Sequence, residues 1–175
     1  VYFAHMTLTD VDGEKFYYFE RINRKGVGNA GADADRLMVW NDDWFLEGKG
    51  KVHLLKAIES GTGVELQLVP EKKLVIHGNN GISQKGSEKG NASHYFSYTR
   101  MKTTGQIFVR GKAYNVLGSS WMDHEYSSNQ LNDELVGWDW FSLKLDDKTE
   151  LMLYLLRRKT GGVDAFSSGT FIAAD

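Results

Sequence analysis

Between Gly118 and Ser128 the sequence reads GSSWMDHEYSS, and from Gly137 to Phe141 it reads GWDWF. The carboxyl groups of Asp123 and Glu125, a histidine and three tryptophans thus share one stretch, a set that suits acid–base chemistry beside an apolar surface. A carboxyl next to Trp121 and facing a cavity would be desolvated, so Asp123 would keep its proton as a general acid must. Glu125, two residues on, would add like-charge repulsion in the same direction. If Ser120 to Tyr126 is extended, alternation puts Trp121, Asp123 and Glu125 on one face and Met122, His124 and Tyr126 on the other. Asp123 and His124 then point apart, which argues against a compact metal site built from neighbours. Trp138 and Trp140 share a face of the next strand, where their rings could line a pocket or stabilise a cation. His94 heads the run HYFSYTR, and alternation sets His94, Phe96 and Tyr98 opposite Tyr95, Ser97 and Thr99. A plainer account uses the same residues: the tryptophans are core, and Asp123 and Glu125 pair with Arg100, Arg110 or Arg157.

Other constellations are missing from the sequence. His5, His53, His77 and His94 are scattered without metal-ligand spacing, and cysteine is absent, so neither a thiolate zinc site nor a cysteine nucleophile exists. There is no Gly-x-Ser-x-Gly elbow, and Gly26-Val27-Gly28 does not open a strand–turn–helix phosphate cradle. The residues imply no metal and no cofactor.

The elements that must position these residues read as strands. Tyr2–Leu8, Lys15–Ile22, Arg36–Trp40, Val52–Ile58, Val64–Val69, His94–Met101, Gln106–Arg110, Ala113–Met122, Gly137–Leu145, Leu151–Arg158 and Gly169–Ala173 are short aromatic or β-branched runs between Gly, Asn and Asp clusters. About eleven strands at this rhythm predict an all-β, antiparallel barrel or sandwich with little helix. Asp33–Trp44 and Ser128–Leu135 could each hide a helical turn. Val11-Asp12-Gly13 and Asp146–Thr149 read as hairpin turns, the former because Asp and Gly tolerate positive φ. Asn23–Asp35 and His77–Ser93 are polar, glycine-rich and read as long loops. The last hairpin is apolar on both sides, Leu151, Leu153 and Leu155 opposing Met152, Tyr154 and Leu156, as a strand is when a core covers one side and a ligand or second domain the other.

Composition narrows the function classes. With 175 residues, 41% of them apolar, the chain can bury one domain-sized core. Its single proline, where average usage gives about nine, and its 13% aromatic share favour sheet. Lysine plus arginine number 21 against 23 acidic residues, so no basic footprint for nucleic acid exists. No run reaches the roughly 18 apolar residues of a membrane span. The start, VYFAHMTLTD, is not a signal peptide, so a targeting segment would precede Val1 and the compartment, an exported periplasmic one included, stays open. Strand-like sequence begins at Tyr2 and runs to Ala173, as in a fragment whose missing part supplies further strands or a second domain.

The run G-x-x-W-M-D-H-E at Gly118–Glu125, with GWDWFSLKL from Gly137, ELMLYLLRRKTGG from Glu150, YFAHMTLTDVDGEKFYYFER from Tyr2 and SHYFSYTRM from Ser93, resembles the bacterial AttH-like proteins. These share a superfamily with the carotenoid 1,2-hydratases, or hydroxyneurosporene synthases. The resemblance implies a lipocalin-like fold, with residues 1–175 forming the first of two β-domains, and a pocket for a long apolar or polycyclic molecule. It maps the hydratases' proton-donating aspartate onto Asp123, followed by His124, and an upstream histidine and aromatic onto His94 and Phe96. Trp121 stands where the hydratases carry tyrosine, Glu125 where they often carry asparagine, and Phe96 where they carry tryptophan, so the hydratase relay is altered.

Two functions follow as expectations. One is a lipocalin-like binder of a hydrophobic small molecule, isoprenoid or polycyclic, with Trp121, Trp138, Trp140 and Phe96 lining the pocket. The other is a cofactor-independent hydro-lyase or isomerase, in which Asp123 protonates an alkene and His94, His124 or Glu125 assists. Its cation would rest on Trp138 or Trp140 while a held water traps it.

Overall fold

The computed structural model describes residues 1–26, 28–88, 90–129 and 131–174. All regular structure there is strand, in two compact units: residues 1–70 with 102–119, and residues 71–101 with 120–175. Fourteen strands stand among the described residues against the expected eleven or so: two expected strands merge into one, and residues 30–32, 44–49, 75–76 and 82–84 add four, only the first and last of them inside the segments read as loops; no sheet among the described residues closes into a barrel. Asp33–Trp44 and Ser128–Leu135 hold no helical turn among their described residues. Val27, Lys89 and Gln130, which fall in the expected loops and the second of these segments, lie outside the described residues.

In the first unit, β1 (Tyr2–Asp10) and β2 (Lys15–Asn23) form a hairpin. At its turn the positive φ falls on Glu14, not on the Asp-Gly pair. The Gly13 N–H donates to the Asp10 carboxylate at 3.0 Å, which closes the turn. β3 (Ala30–Ala32), β4 (Met38–Asn41), β5 (Trp44–Lys49), β6 (Val52–Glu59) and β7 (Thr62–Pro70) follow as an antiparallel meander. Alternation sends Ala4 and Met6 of β1 and Phe19 of β2 inward against Trp44, Ala57 and Val64. Arg21 caps this core, its guanidinium 4.4 Å above the Trp44 ring and 2.7 Å from Glu59.

β10 (Ala92–Val109) and β11 (Lys112–Tyr126) belong to both units. Each is longer than expected, β10 fusing two of the expected strands across Gly105, whose φ of 141° and missing Cβ admit the Glu65 carbonyl.

In the second unit, β8 (Val75–Ile76) and β9 (Ile82–Gln84) pair antiparallel with β10. β12 (Leu135–Lys144), β13 (Glu150–Arg158) and β14 (Ser168–Ile172) form a separate antiparallel sheet. Met152, Tyr154 and Leu156 of β13 pack with Leu135 against Tyr95 of β10, joined by Trp121, Leu131 and Phe166. A bulge between Leu135 and Gly137 sets the register. By adding one residue it carries Leu135, Trp138 and Trp140 to the same inner side, which strict alternation would forbid. Gly137 takes φ 147° there. Glu150 is fully buried at the other end of β13, bonded to Lys72 at 2.7 Å and Arg100 at 2.5 Å.

Candidate functional site

The residues with chemical potential gather in the second unit, on the side of β10 and β11 that faces β13. β11 is extended through Tyr126, so Trp121, Asp123 and Glu125 do share a side. The Trp121 indole N–H donates to Asp123 Oδ1 at 2.8 Å, and the Ser97 hydroxyl donates to the same oxygen. Tyr95 hydrogen-bonds Asp123 as well, and its hydroxyl accepts the Trp140 indole N–H at 3.2 Å. Burial, aided by the Asp123 charge, holds the Tyr95 phenol well above its ordinary value. Asp123 itself is solvent-exposed and has no arginine partner among the contacts described; its surroundings are hydrogen-bond donors rather than the desolvating cavity anticipated.

Behind Ser97 stands His77, its Nε2 2.8 Å from the Ser97 hydroxyl and its Nδ1 2.9 Å from Thr170 Oγ1. The single Ser97 proton is directed to Asp123, so Ser97 can only accept from His77, which places the imidazole proton on Nε2. Nδ1 then accepts from Thr170. Burial depresses the affinity of His77 for a second proton, and the Asp123 and Glu125 charges only partly offset this. The result is a chain of aligned donors from Thr170 through His77 and Ser97 to Asp123. His77 and Thr170 also line a cleft of about 290 Å³, together with Ser83, Met152, Tyr154 and Phe166.

Glu125 pairs with Lys85 at 3.1 Å and accepts from Ser93. The Lys85 ammonium lies 3.9 Å above the Tyr154 ring and 5.6 Å from that of Tyr95. A second cleft, about 40 Å³, opens between these groups and Leu131, Trp138, Trp140 and Leu156. The tryptophans are only partly core: Trp138 is 53% exposed and Trp140 39%, with Trp121 edge-on to Trp140 at 6.2 Å.

His94, Phe96, His124 and Tyr126 lie on the opposite side of β10 and β11. Phe96 stacks on His124 at 4.6 Å, and His94 on Tyr126 at 5.0 Å. The fold therefore brings Asp123 together with Trp121 and Trp140, and Glu125 with the Trp138–Trp140 cleft, but it does not bring His94, His124 or Phe96 to Asp123. The arginines expected near the carboxylates are engaged elsewhere, Arg100 with Glu150 and Arg157 with Asp139. His77, Ser97 and Lys85 are site residues that the motifs of the sequence do not single out. The alternation Tyr95, Ser97, Thr99 carried a signal for Ser97; His77 and Lys85 had none, because their partners are brought in by other strands. Among the described residues no three His, Asp or Glu side chains gather as a metal site, and no helix is long and apolar enough to cross a membrane.

The family described as AttH-like matches residues 1–175. Among solved structures, a protein described as an AttH, from Nitrosomonas europaea, superposes with a TM-score of 0.85 at 29% identity, over 97% of this chain and 56% of its own. Kievitone hydratase from Nectria haematococca superposes with a TM-score of 0.64 at 12% identity, over 97% of this chain and 54% of its own. These neighbours have a lipocalin-like fold, which this chain shares, and the chain spans little more than half of either. No curated protein matches.

Proposed function

We infer that this chain, which belongs to the AttH-like family, binds a hydrophobic small molecule of isoprenoid or polycyclic type against Trp138 and Trp140. The observation that carries this reading is the exposure of two large indoles that their own sheet turns inward, beside a cleft that Leu131 and Leu156 floor. Exposed aromatic surface next to a concavity is where a ligand gains most from leaving water. Tyr95, fixed by Trp140 and Asp123, offers the polar contact that orients such a ligand.

A second reading, that the bound molecule is an alkene to be hydrated or isomerised, is favoured by the donor chain ending at Asp123. A carboxyl that gives a proton to carbon must recover one, and the row Thr170–His77–Ser97 is arranged to return it. In this reading Asp123 is the acid and Glu125 holds water, with His77 in the supporting place that sequence reading gave to His94. The hydratase activity named for the Nectria neighbour is that protein's; at 12% identity the likeness rests on fold.

The partner we propose is the rest of a longer protein, a second β-domain, as the coverage of 56% and 54% suggests. The surface offered to it is the outer side of the β12–β14 sheet, where register aligns Phe141 with Leu153 and Leu143 with Leu151 and Phe171. That side is apolar and uncovered, Phe171 being 67% exposed.

Titration with 1,6-diphenylhexatriene, an uncharged fluorescent polyene, tests the binding reading. Trp138→Ala with Trp140→Ala should weaken uptake at least about tenfold. Equal uptake by the double variant and the unaltered chain would sink the assignment.

A further inference from the structure

We propose that the part of the ligand entering the Trp138–Trp140 cleft is an organic ammonium group, and that Lys85 is the resident cation it replaces. The inference rests on the binding reading above and names the chemistry of the same site. Three observations support it.

The first is the cage. Tyr154 presents its ring face to the Lys85 ammonium at 3.9 Å, with Tyr95 at 5.6 Å, and Trp138 and Trp140 complete the lining. Ring faces carry the negative end of an aromatic quadrupole, so such an enclosure favours a weakly hydrated cation over a neutral group of equal shape.

The second is charge balance. Glu125 touches Lys85 at 3.1 Å, and Asp123 lies beyond Tyr95, to which it is hydrogen-bonded. One carboxylate thus pairs with the ammonium, while the Asp123 and Glu125 charges raise the proton affinity of His77 and the Lys85 charge lowers it. Removal of Lys85 from the cleft would leave the surplus negative charge without its nearest counter-ion. An anionic ligand would meet Glu125 at the same place, which disfavours carboxylate guests.

The third is where Lys85 sits. It follows β9, which ends at Gln84, and its own N–H donates to the Asn91 carbonyl at 2.7 Å. Its side chain reaches the cage from outside any strand. With Lys85 in place the cleft offers about 40 Å³, too little for a trimethylammonium head, so Lys85 must withdraw as the guest enters.

The test compares choline with 3,3-dimethylbutan-1-ol, the same shape with carbon in place of the charged nitrogen, by tryptophan fluorescence on the purified chain. Lys85→Met should bind choline about tenfold tighter than the unaltered chain does, and about tenfold tighter than it binds the alcohol. If the variant binds both compounds equally, the cleft is an apolar site and the cation inference falls while the binding reading stands. If neither compound binds a folded variant, both fall. Glu125→Gln provides the check should Lys85→Met not fold: it should weaken choline several-fold and leave the alcohol unchanged, and an unchanged choline affinity overturns the proposal.

Discussion

His77 is the residue whose setting differs most from its appearance in the sequence. It is buried, both ring nitrogens are occupied, and its affinity for a second proton is depressed by burial. The sign of the consequence is fixed: between its lowered native value and the ordinary 6.5, the unfolded chain binds a proton that the folded chain refuses. Stability therefore falls as pH drops below about 6.5, and His53, depressed by the same cause, adds to the slope. Urea midpoints measured from pH 7.5 to 5 should decline, and His77→Gln should flatten that decline; an equal slope in the variant would show that His77 does not titrate this way. None of this was legible from the spacing of the histidines, since Thr170 lies 93 positions away and Ser97 20. The Trp121–Asp123–Glu125 side, by contrast, followed directly from period-two alternation in one strand.

Among the elements, β12 shows how one irregularity decides a site. Its bulge at Leu135–Gly137 brings Leu135 into the core while Trp138 and Trp140 turn to the same side. Gly137 holds φ 147°, and a Cβ there would stand 3.2 Å from the Arg157 guanidinium. Gly137→Ala should cost about 1–3 kcal/mol through backbone strain and should lower diphenylhexatriene uptake by re-aiming the indoles. Thermal unfolding together with the probe titration checks both effects. A glycine before W-D-W marked a bulge no more clearly than a turn would, which is why the shared side of the tryptophans could be read and the burial of Leu135 could not. The short strands β3, β8 and β9 were illegible for a related reason: two or three residues in Gly- and Asn-rich sequence pair only because longer neighbours present an open ladder.

At the scale of the whole molecule, the outer side of the β12–β14 sheet is the unresolved demand. Leu151, Leu153 and Leu155 alternate with the buried Met152, Tyr154 and Leu156, so the apolar outer side was legible in the sequence, while nothing in it identifies a partner. With the proposed second domain missing, the chain alone should self-associate as its concentration rises. Leu153→Lys should shift sedimentation velocity profiles toward monomer without changing choline or diphenylhexatriene binding; unchanged association would remove this side as the docking surface. The order of the strands carries a kinetic consequence as well. β3 to β7 and β12 to β14 each pair with the strand just before or after them, so loop closure is short and hairpins can zip as the chain is synthesised. β12 to β14 come last, and the site needs their inner side against Tyr95. The cleft is therefore complete only once β12 to β14 have packed against Tyr95.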